Sequence, residues 1–331
     1  MKIIITGASG LIGKRLCKVL KQDGFDIEFL KRHDYNNTIE EKDWLSRKNI
    51  FWSNPEILEN ADAVVHLAGA NVGSSWTRKY KKEILNSRKL GTEALMKACA
   101  DCQTPPKHII SASGIGFYHE NTNQLLNETS ESGNTFLAEV CKIWEQGIFE
   151  HKIPGAVASC LRTGIVISNH SKVFGVSKLQ FQLFGMVGSV GSPNKLWSWI
   201  HIDDLCSTYL ALIKGTMSPG IYNAVAPHPC TQKAAGIAFE KFAPHRELKK
   251  SNITALLWLI PCAINKMLQA LRITARPVLP AFLIKLAWGE RSAIALTNQN
   301  VSAKKTLDTG FCYQYPTIES AMNHLHTHTD C

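Results

Sequence analysis

The chain has 331 residues, of which 45% are hydrophobic and 19% are charged, a composition typical of a globular protein and not of a disordered one. Its formal net charge is +10, and one basic cluster, Arg78–Lys82, falls on a predicted helix. No base-stacking motif or zinc-finger spacing accompanies this cluster, so we interpret it as a solvated helix face and expect no nucleic-acid partner. The longest apolar run, Ala255–Ile264, is too short to cross a bilayer and contains Pro261, so we expect no membrane span.

The chain begins with a predicted strand, tight turn and helix. Three β-branched residues, Ile3–Ile5, are typical of a strand buried on both faces, and the apolar residues of Leu11–Leu20 fall on or near one helical face. Such an early strand leaves no room for a signal peptide, so we expect a cytoplasmic protein with reduced cysteines. The C-x-x-C pair of Cys99 and Cys102 lies late in a predicted helix, which favours a structural role. The histidine-rich stretch 324–328 is more typical of a frayed terminus than of a metal site, and we expect no metal.

Three glycines at the spacing G-x-x-G-x-x-G lie between this strand and this helix. Gly7 can adopt a positive φ in the turn, Gly10 lets the backbone approach a ligand, and Gly13 lets the helix pack closely on the strand. The N–H groups of the loop and the helix dipole then face an anion, typically the pyrophosphate of a dinucleotide. The strand and helix on either side disfavour the alternative of an ordinary glycine-rich turn. The candidate cofactor-binding residues of this loop are Thr6, Gly7, Ser9, Gly10, Leu11, Ile12 and Gly13.

The end of the second predicted strand, Asp26–Leu30, bears on the choice of cofactor. In dinucleotide-binding folds this end meets the adenosine ribose, where an acidic residue binds the 2′-hydroxyl of NAD and an arginine accommodates the 2′-phosphate of NADP. Here Lys31, Arg32 and His33 follow the strand, and Asp34 lies beyond them. Charge-assisted hydrogen bonds from Lys31 and Arg32 would favour the extra phosphate, so we expect NADP(H). The alternative is that the two cations only solvate a strand end.

Strands and helices continue to alternate along the chain, which indicates an α/β fold with a Rossmann-type, doubly wound parallel sheet. The later predicted elements are Ile50–Trp52, Asp62–Gly69, Thr77–Ala100, His108–Ser113, Phe136–His151, Gly155–Arg162, a helix and loop in Ser171–Val187, Leu196–Ile200, a helix from His201 through Ile213, and Gly220–Ala226. Further candidate cofactor-binding residues lie on these elements or follow the strands: Leu67, Ala68, Gly69, Arg88, Ser111, Arg162 and Gly164. Arg88 could reach the cofactor or a substrate phosphate, or could be a surface charge.

The alternation ends near residue 226, which we take as a domain boundary. Residues 1–226 would form the NADP-binding domain, with residues 166–200 contributing to the substrate cleft. Residues 227–331 would form a smaller, mostly helical C-terminal lobe that shares an interface with it. Asp203 or Asp204 would cap the helix that they open and oppose its dipole.

Several motifs occur in the order seen in extended short-chain dehydrogenase/reductases. They are T-G-x-x-G-x-x-G at 6–13, D-A-V-V-H-L-A-G at 62–69, I-S-A-S-G at 110–114, L-R-T-G-I-V at 161–166 and W-I-H-I-D-D at 199–204. Further pairs echo the atypical subgroup of epimerase family, or nucleotide-sugar epimerase-like, proteins: Trp76-Thr77, Ser87-Arg88, Phe117-Tyr118 and Trp144-Glu145. Gly289-Glu290 and Thr309-Gly-Phe311 resemble the small C-terminal domain attached in this subgroup. The chain resembles this subgroup up to about residue 325, including its small C-terminal domain of unknown function.

The resemblance also exposes a departure from the usual catalytic pair. Ordinary members carry Tyr-x-x-x-Lys, in which the tyrosine moves a proton and the lysine lowers its pKa. Counting back from Glu145 places Leu137 and Cys141 at these two positions, and neither can do that work. Ser113 matches the serine that hydrogen-bonds the substrate oxygen. Tyr118 is the nearest other phenol and is a candidate acid, although packing at the sheet edge is an equal alternative.

Two functions therefore stand side by side. The resemblance implies an NADP(H)-dependent oxidoreductase or epimerase, acting on a nucleotide sugar or another small carbonyl compound, with Ser113 and Tyr118 as candidate catalytic residues. The missing Tyr-x-x-x-Lys pair favours a catalytically weak dinucleotide-binding module with a regulatory or redox-sensing role. In both cases the expected partner is a small molecule, and a homodimer is left open.

Overall fold

The computed structural model describes residues 1–32, 52–120, 124–171, 174–175, 177–178, 187–242 and 278–328. Six strands form one parallel sheet in the order β11-β6-β4-β3-β1-β2. Their bounds are β1 Lys2–Thr6, β2 Asp26–Phe29, β3 Ala63–His66, β4 His108–Gly114, β6 Val157–Thr163 and β11 Ile221–Ala224. This is the predicted doubly wound, Rossmann-like sheet, and the order reverses between β1 and β3.

Helices cover both faces of the sheet. Four long helices are α1 Leu11–Gln22, α2 Arg78–Ala100, α3 Phe136–Phe149 and α4 Ile202–Ile213. Side chains alternate across β1, so Ile3 and Ile5 pack with Leu16 of α1 in one core, whereas Ile4 packs with Leu95 of α2 in another. A strand buried on both faces explains why the sequence here is a continuous apolar run.

Short strands and helices complete the described fold. The strands are β5 Leu125–Leu126, β7 Ile165–Ile167, β8 Ser189–Val190, β9 Leu196–Trp197, β10 Trp199–His201, β12 Cys230–Thr231, β13 Val278–Leu279 and β14 Asn300–Val301. The helices are α5 Gln232–Phe242, α6 Ala281–Trp288, α7 Ala293–Leu296, α8 Lys304–Asp308 and α9 Ile318–Thr327, which make the described C-terminal region mostly helical.

The end of the chain returns to the main sheet domain. Strand β14 pairs in parallel with β5, and the Thr306 hydroxyl donates to the Asn223 carbonyl at the end of β11. Asn223 Nδ2 in turn donates to the carbonyl of Ser302. Ser302 and Thr306 of the C-terminal segment are therefore hydrogen-bonded to the sheet whose edge carries the candidate site.

The predicted elements that fall within the described residues lie within a few residues of those observed. Of the predicted strand Ile50–Trp52, only Trp52 is described, and it forms an isolated antiparallel bridge with Arg32. Other predicted features lie outside the described residues: His33, Asp34, Ile50, most of Ser171–Val187, Ala255–Ile264 and Pro277. Cys99 and Cys102 are free thiols. Within the described ranges, no helix combines the length and apolar character needed to cross a membrane.

Two glycines of the first loop are fixed by close backbone contacts. Gly7 has φ of +73°, and a Cβ added there would lie 2.7 Å from the carbonyl carbon of Leu67. A Cβ at Gly13 would lie 2.4 Å from the Gly7 carbonyl oxygen. Both distances are shorter than real Cβ contacts allow, so the turn and the helix can pack this closely only with glycine at these positions.

We expect Gly13→Ala to lower the free energy of unfolding by about 1–3 kcal/mol, since backbone must move to admit the methyl group. The matched control is Gly10→Ala, whose Cβ would meet only the Gly7 carbonyl oxygen, at 3.3 Å. Urea unfolding followed by circular dichroism measures both variants. Equal losses in the two would contradict the packing assigned to Gly13.

Candidate functional site

The candidate site lies at the carboxyl edge of the sheet, where the strand order reverses. Strands β2 and β3 lie on opposite sides of β1 in the sheet. The chain therefore turns in opposite directions after β1 and after β3, and the loops that follow these two strands flank a crevice. Such switch points are where open α/β sheets bind ligands. The predicted Gly7–Gly13 loop and the Leu67–Gly69 segment are the two walls of this crevice.

The first turn of α1 presents backbone donors to the crevice. Gly10 is the N-cap with φ of −73°, and no described side chain caps this helix end. The first N–H groups of a helix have no intrahelical partner, and they combine with the positive end of the helix dipole to favour an anion. Ser9 and Gly10 are exposed, whereas Gly13 is buried against the turn. The predicted pyrophosphate site would lie at this helix start.

Thr6 was predicted to contact the cofactor, but its hydroxyl makes its hydrogen bonds within the fold. Its buried hydroxyl oxygen accepts from the backbone N–H groups of Leu67 and Ala68, each at 3.2 Å. The hydroxyl proton therefore goes to His66 Nδ1, 2.8 Å away. Burial lowers the pKa of His66 to about 3, so the ring is neutral and its Nε2–H donates to Thr92 Oγ1 at 3.1 Å. Thr6 thus sets the position of the loop after β3.

The same loop is held from its other side by two adjacent residues of α2. Ser87 Oγ accepts from the N–H of Ala70 at 3.0 Å, and Arg88 Nη1 donates to the Ala70 carbonyl at 3.1 Å. Arg88 is buried, so it is not a surface charge, and its guanidinium lies over the ring of Trp144 at 4.6 Å. A Cβ at Gly69 would lie 2.9 Å from Arg88 Cζ. Arg88 therefore positions the Gly69 backbone, and we assign it no direct cofactor contact.

Lys31 and Arg32 follow β2 directly and are exposed, as a site for the 2′-phosphate requires. Their backbone is fixed by the segment after Trp52. Asn54 Oδ1 accepts from the N–H of Lys31 at 3.1 Å, and the Ser53 N–H donates to the Lys31 carbonyl at 3.0 Å. The two cations are therefore presented from an ordered backbone at the edge of the crevice.

Ser113 lies at the end of β4 and belongs to a buried ionic network. Its hydroxyl donates to Glu145 Oε1 at 2.7 Å. Arg162 holds the same carboxylate side-on, with Nε 2.9 Å from Oε1 and Nη2 2.7 Å from Oε2. Burial alone would lower the pKa of Arg162, but hydrogen bonds and charge pairing with Glu145 raise it above the ordinary value. Arg162 was predicted as a cofactor ligand, and the structure uses its guanidinium inside the fold instead.

Tyr118 is buried with no exposed surface, which rules out the predicted acid role in this arrangement. Its hydroxyl donates to Asn223 Oδ1 at 2.6 Å and accepts from Arg162 Nη1 at 3.0 Å. Burial raises the pKa of this phenol, although Arg162 opposes the rise. Gln299, in the C-terminal segment, donates a hydrogen bond from Nε2 to the Tyr118 carbonyl at 3.3 Å. Packing, the alternative weighed from the sequence, is therefore what the structure shows.

The two positions of the missing catalytic pair face the end of β4. A Cβ on Gly116 would lie 3.1 Å from Leu137 Cβ, and a Cβ on Gly114 would lie 3.8 Å from Cys141 Sγ. Cys141 is buried, and burial raises the pKa of its thiol to about 11, so it is neutral near pH 7. Neither side chain supplies a proton or a positive charge to the edge that Ser113 occupies.

Two further predicted cofactor residues serve the fold. Ser111 is fully buried and its hydroxyl donates to the Ala112 carbonyl at 3.0 Å. Gly164 is confined by backbone, because a Cβ there would lie 2.6 Å from the carbonyl oxygen of Ser198. The crevice is therefore left with the glycine loop, Leu67–Gly69, Lys31 and Arg32.

The start of α4 differs from the predicted capping. His201 is the N-cap, and its Nδ1 accepts from the Asp203 N–H at 3.1 Å. Asp203 pairs with Arg15 Nε at 2.5 Å, and Asp204 accepts from the backbone N–H groups of Gln314 and Tyr315. Burial raises the pKa of Asp204 to about 6. The two carboxylates thus dock α1 and the C-terminal segment onto α4.

His201, Asp203 and His324 form one cluster of potential metal ligands, with ligand atoms within 4.8 Å of one another. Burial lowers the pKa of His201 to about 4, so the ring is neutral. Since Nδ1 accepts a backbone N–H, its proton sits on Nε2, which faces His324 Nδ1 at 3.3 Å. A protonated Nε2 has no lone pair for a metal, and Asp203 is already paired with Arg15.

Two segments of the chain are similar to known families. Residues 3–140 match the NAD dependent epimerase/dehydratase family, and residues 279–325 match a domain of unknown function, DUF1731. The first of these matches covers less than half of the chain and includes the glycine loop and Ser113. An epimerase family protein of Staphylococcus saprophyticus is 27% identical over 325 residues, which cover 97% of this chain and 98% of that protein. One from Staphylococcus aureus strain MRSA252 is 26% identical over 323 residues, with the same coverage.

Several solved structures share the fold of this chain. A human epimerase family protein crystallised with NADPH aligns with a TM-score of 0.77, 24% identity and 99% of each chain covered. A nucleoside-diphosphate sugar epimerase from Corynebacterium glutamicum aligns with a TM-score of 0.67 and 26% identity, covering 98% of this chain and 57% of that one. UDP-glucuronic acid 4-epimerase from Bacillus cereus, at 15% identity and a TM-score of 0.67, shares the fold alone.

Sequence reasoning missed several residues that build the site. It gave no role to His66, Thr92 or Asn223, and it used Glu145 only to set the helix register. The sequence does contain a signal for Glu145, because a carboxylate in a predicted helix and an arginine in a predicted buried strand suggest a buried ion pair. His66 gave none, since a lone histidine in an apolar strand does not reveal its partners.

We expect Glu145→Gln to lower the free energy of unfolding by about 3–5 kcal/mol, because it leaves the buried Arg162 charge without its counter-ion. Lys142→Ala, an exposed change on the same helix, should alter stability by less than about 0.5 kcal/mol. Urea titration of both variants gives the comparison. A Glu145→Gln loss as small as that of the control would show that the pair contributes little.

Proposed function

We propose that this chain binds NADP(H) at the switch-point crevice and acts as an oxidoreductase or epimerase on a nucleotide sugar or a similar small compound. The observation that carries the proposal is the glycine loop, in which Gly10 leaves the first turn of α1 open to a pyrophosphate. A Cβ at Gly10 meets only the Gly7 carbonyl oxygen, at 3.3 Å, so the space beyond it is free for a ligand.

Two further observations support the cofactor choice. Lys31 and Arg32 are exposed on a fixed backbone where the adenosine ribose would lie, and no carboxylate of the described residues takes the position after β2 that an NAD-type ribose contact would use. The human relative of the same fold was crystallised with NADPH. When bound, NADP(H) supplies or accepts a hydride at its nicotinamide.

The substrate class rests on the family and on the polar edge around Ser113. Ser113 ends β4 beside the crevice, where a substrate oxygen would meet the cofactor. Leu137 and Cys141 cannot assist with a proton, so a proton must leave through water or the substrate itself. General acid–base help is worth about 10²–10⁴-fold in rate, so its absence predicts slow chemistry and not a failure to bind cofactor.

Gly10→Val should abolish NADPH binding while the protein remains folded, because the side chain would occupy the position of the pyrophosphate. Isothermal titration calorimetry measures the affinity, and circular dichroism confirms the fold. Lys18→Ala, on an exposed position later in α1, should bind NADPH like the parent. Unchanged NADPH affinity in a folded Gly10→Val protein would remove the glycine loop as the cofactor site.

Arg32→Ala should weaken NADPH far more than NADH, by about 1.5–3 kcal/mol, if a charged hydrogen bond to the 2′-phosphate is lost. The backbone bridge between Arg32 and Trp52 does not involve the substituted side chain, so the fold should persist. Calorimetric titration with each cofactor gives the two affinities. An equal loss for both would mean that Arg32 does not read the 2′-phosphate.

A further inference from the structure

The crevice wall that follows β3 continues into residues 70–76, the wall loop, which ends where α2 begins. The first half of the wall loop is held by α2 itself. Ser87 Oγ accepts from the Ala70 N–H at 3.0 Å, and the Tyr80 hydroxyl donates to the Asn71 carbonyl at the same distance. The loop and the helix are consecutive in the chain, so these contacts do not involve the C-terminal region.

The second half of the wall loop is held from the far end of the chain. Arg291 Nη1 donates to the Gly73 carbonyl at 3.1 Å, across 218 residues of sequence. The residue before it, Glu290, accepts from Lys81 Nζ near the start of α2, at 2.5 Å. One turn, Gly289–Ser292, therefore binds both the wall loop and the helix that follows it. We call this turn the latch.

Aromatic rings lie against both cations of these contacts. Arg291 Cζ lies 5.0 Å from the centre of the Trp288 ring, and Lys81 Nζ lies 4.6 Å from the centre of the Phe136 ring. The Trp76 ring, at the end of the wall loop, packs edge-on against the same Phe136 ring at 5.2 Å. Cation–π contacts favour one position of a charged group over others. The latch therefore meets a surface built by the wall loop and the starts of α2 and α3.

We infer that the latch holds the wall loop against the crevice and so controls how fast NADP(H) enters and leaves. The inference rests on the proposed function and gives a role to the domain of unknown function, residues 279–325, which contains the latch. A dinucleotide at the switch point lies between the loops after β1 and β3. Close backbone contacts fix the glycine loop at Gly7 and Gly13, so the wall loop is the side that can move outward.

The latch should change the rates of exchange and not the affinity. Its contacts are made by protein groups alone, so they have the same strength whether the crevice is empty or filled. An element with no differential contact to the ligand cannot shift the binding equilibrium. Opening the latch therefore speeds association and release by the same factor, which separates a gate from a residue that merely supports the site.

The two contacts of the latch differ in strength. Lys81 and Glu290 are 29% and 67% exposed, and an exposed ion pair contributes about twofold to fivefold to an equilibrium constant. Arg291 is half-buried, and a hydrogen bond from a charged group contributes about tenfold to a hundredfold. Loss of the Arg291 contact should therefore have the larger effect on both rates.

Stopped-flow fluorescence of NADPH with the full-length protein measures association and release. Arg291→Leu should raise both rates about tenfold to a hundredfold, and Glu290→Gln about twofold to fivefold, with little change in the dissociation constant. Circular dichroism checks the fold. If Arg291→Leu does not fold, the exposed change Glu290→Gln decides. Unchanged rates, or a faster release with an unchanged association rate, would overturn the gate.

A distant ion pair of the same kind is the matched control. Lys304 Nζ lies 2.7 Å from Asp308 in α8, and Asp308→Asn should leave both rates unchanged. Lys81→Met combined with Glu290→Gln should match Lys81→Met alone, because the two side chains form one contact. Additive effects of the two substitutions would show that they act separately and would contradict the latch.

Hydrogen exchange tests the attachment of the wall loop without any cofactor. Arg291→Leu should speed exchange of the Gly73 and Ser74 amides, which bond to Asn71, because the loop opens more often. The Ala70 amide, held by α2, should exchange as in the parent. If the parent binds no NADPH, the proposed function itself fails. If it binds NADPH but Arg291→Leu changes neither the rates nor the exchange, the inference alone fails.

Discussion

The buried ion pair between Glu145 and Arg162 is the interaction on which the carboxyl edge of this sheet depends. It joins a helix to a strand, and further hydrogen bonds connect the pair to other elements. Glu145 accepts a hydrogen bond from the Ser113 hydroxyl, and Arg162 donates to the Tyr118 hydroxyl and to the Glu128 carbonyl. Arg162 also lies 3.5 Å from the centre of the Phe117 ring. A buried pair satisfied in this way fixes geometry more than it adds stability.

A second, neutral network positions the loop after β3, which is one wall of the crevice. Thr6, His66 and Thr92 link β1, β3 and α2, and Thr6 also receives the backbone of the loop after β3. The two networks meet at α3, where consecutive residues belong to different ones. Trp144 lies under the Arg88 guanidinium and edge-on to His66, and Glu145 lies in the ion pair. The adjacent residues Trp144 and Glu145 thus lie on two faces of one helix and contact two different networks.

Local sequence was enough to predict the glycine loop but not the residues that support it. A strand, three spaced glycines and a helix are contiguous, so the geometry of the loop depends on few distant contacts. Tyr118 was open to two interpretations because its burial is decided elsewhere. Gln299, 181 residues further along, donates to the Tyr118 carbonyl, and Asn223 Oδ1 accepts a hydrogen bond from the Tyr118 hydroxyl. Arg162 was similarly ambiguous, because only the fold shows that its guanidinium forms an ion pair with Glu145.

The charge next to Ser113 differs from the charge that a Tyr-x-x-x-Lys pair would place there. In the usual arrangement a lysine charge near the serine would favour proton transfer through a phenol. Here the charge nearest Ser113 is the negative carboxylate of Glu145, and the positive charge of Arg162 lies behind it. The charge beside Ser113 is therefore opposite in sign to the lysine charge of the usual pair.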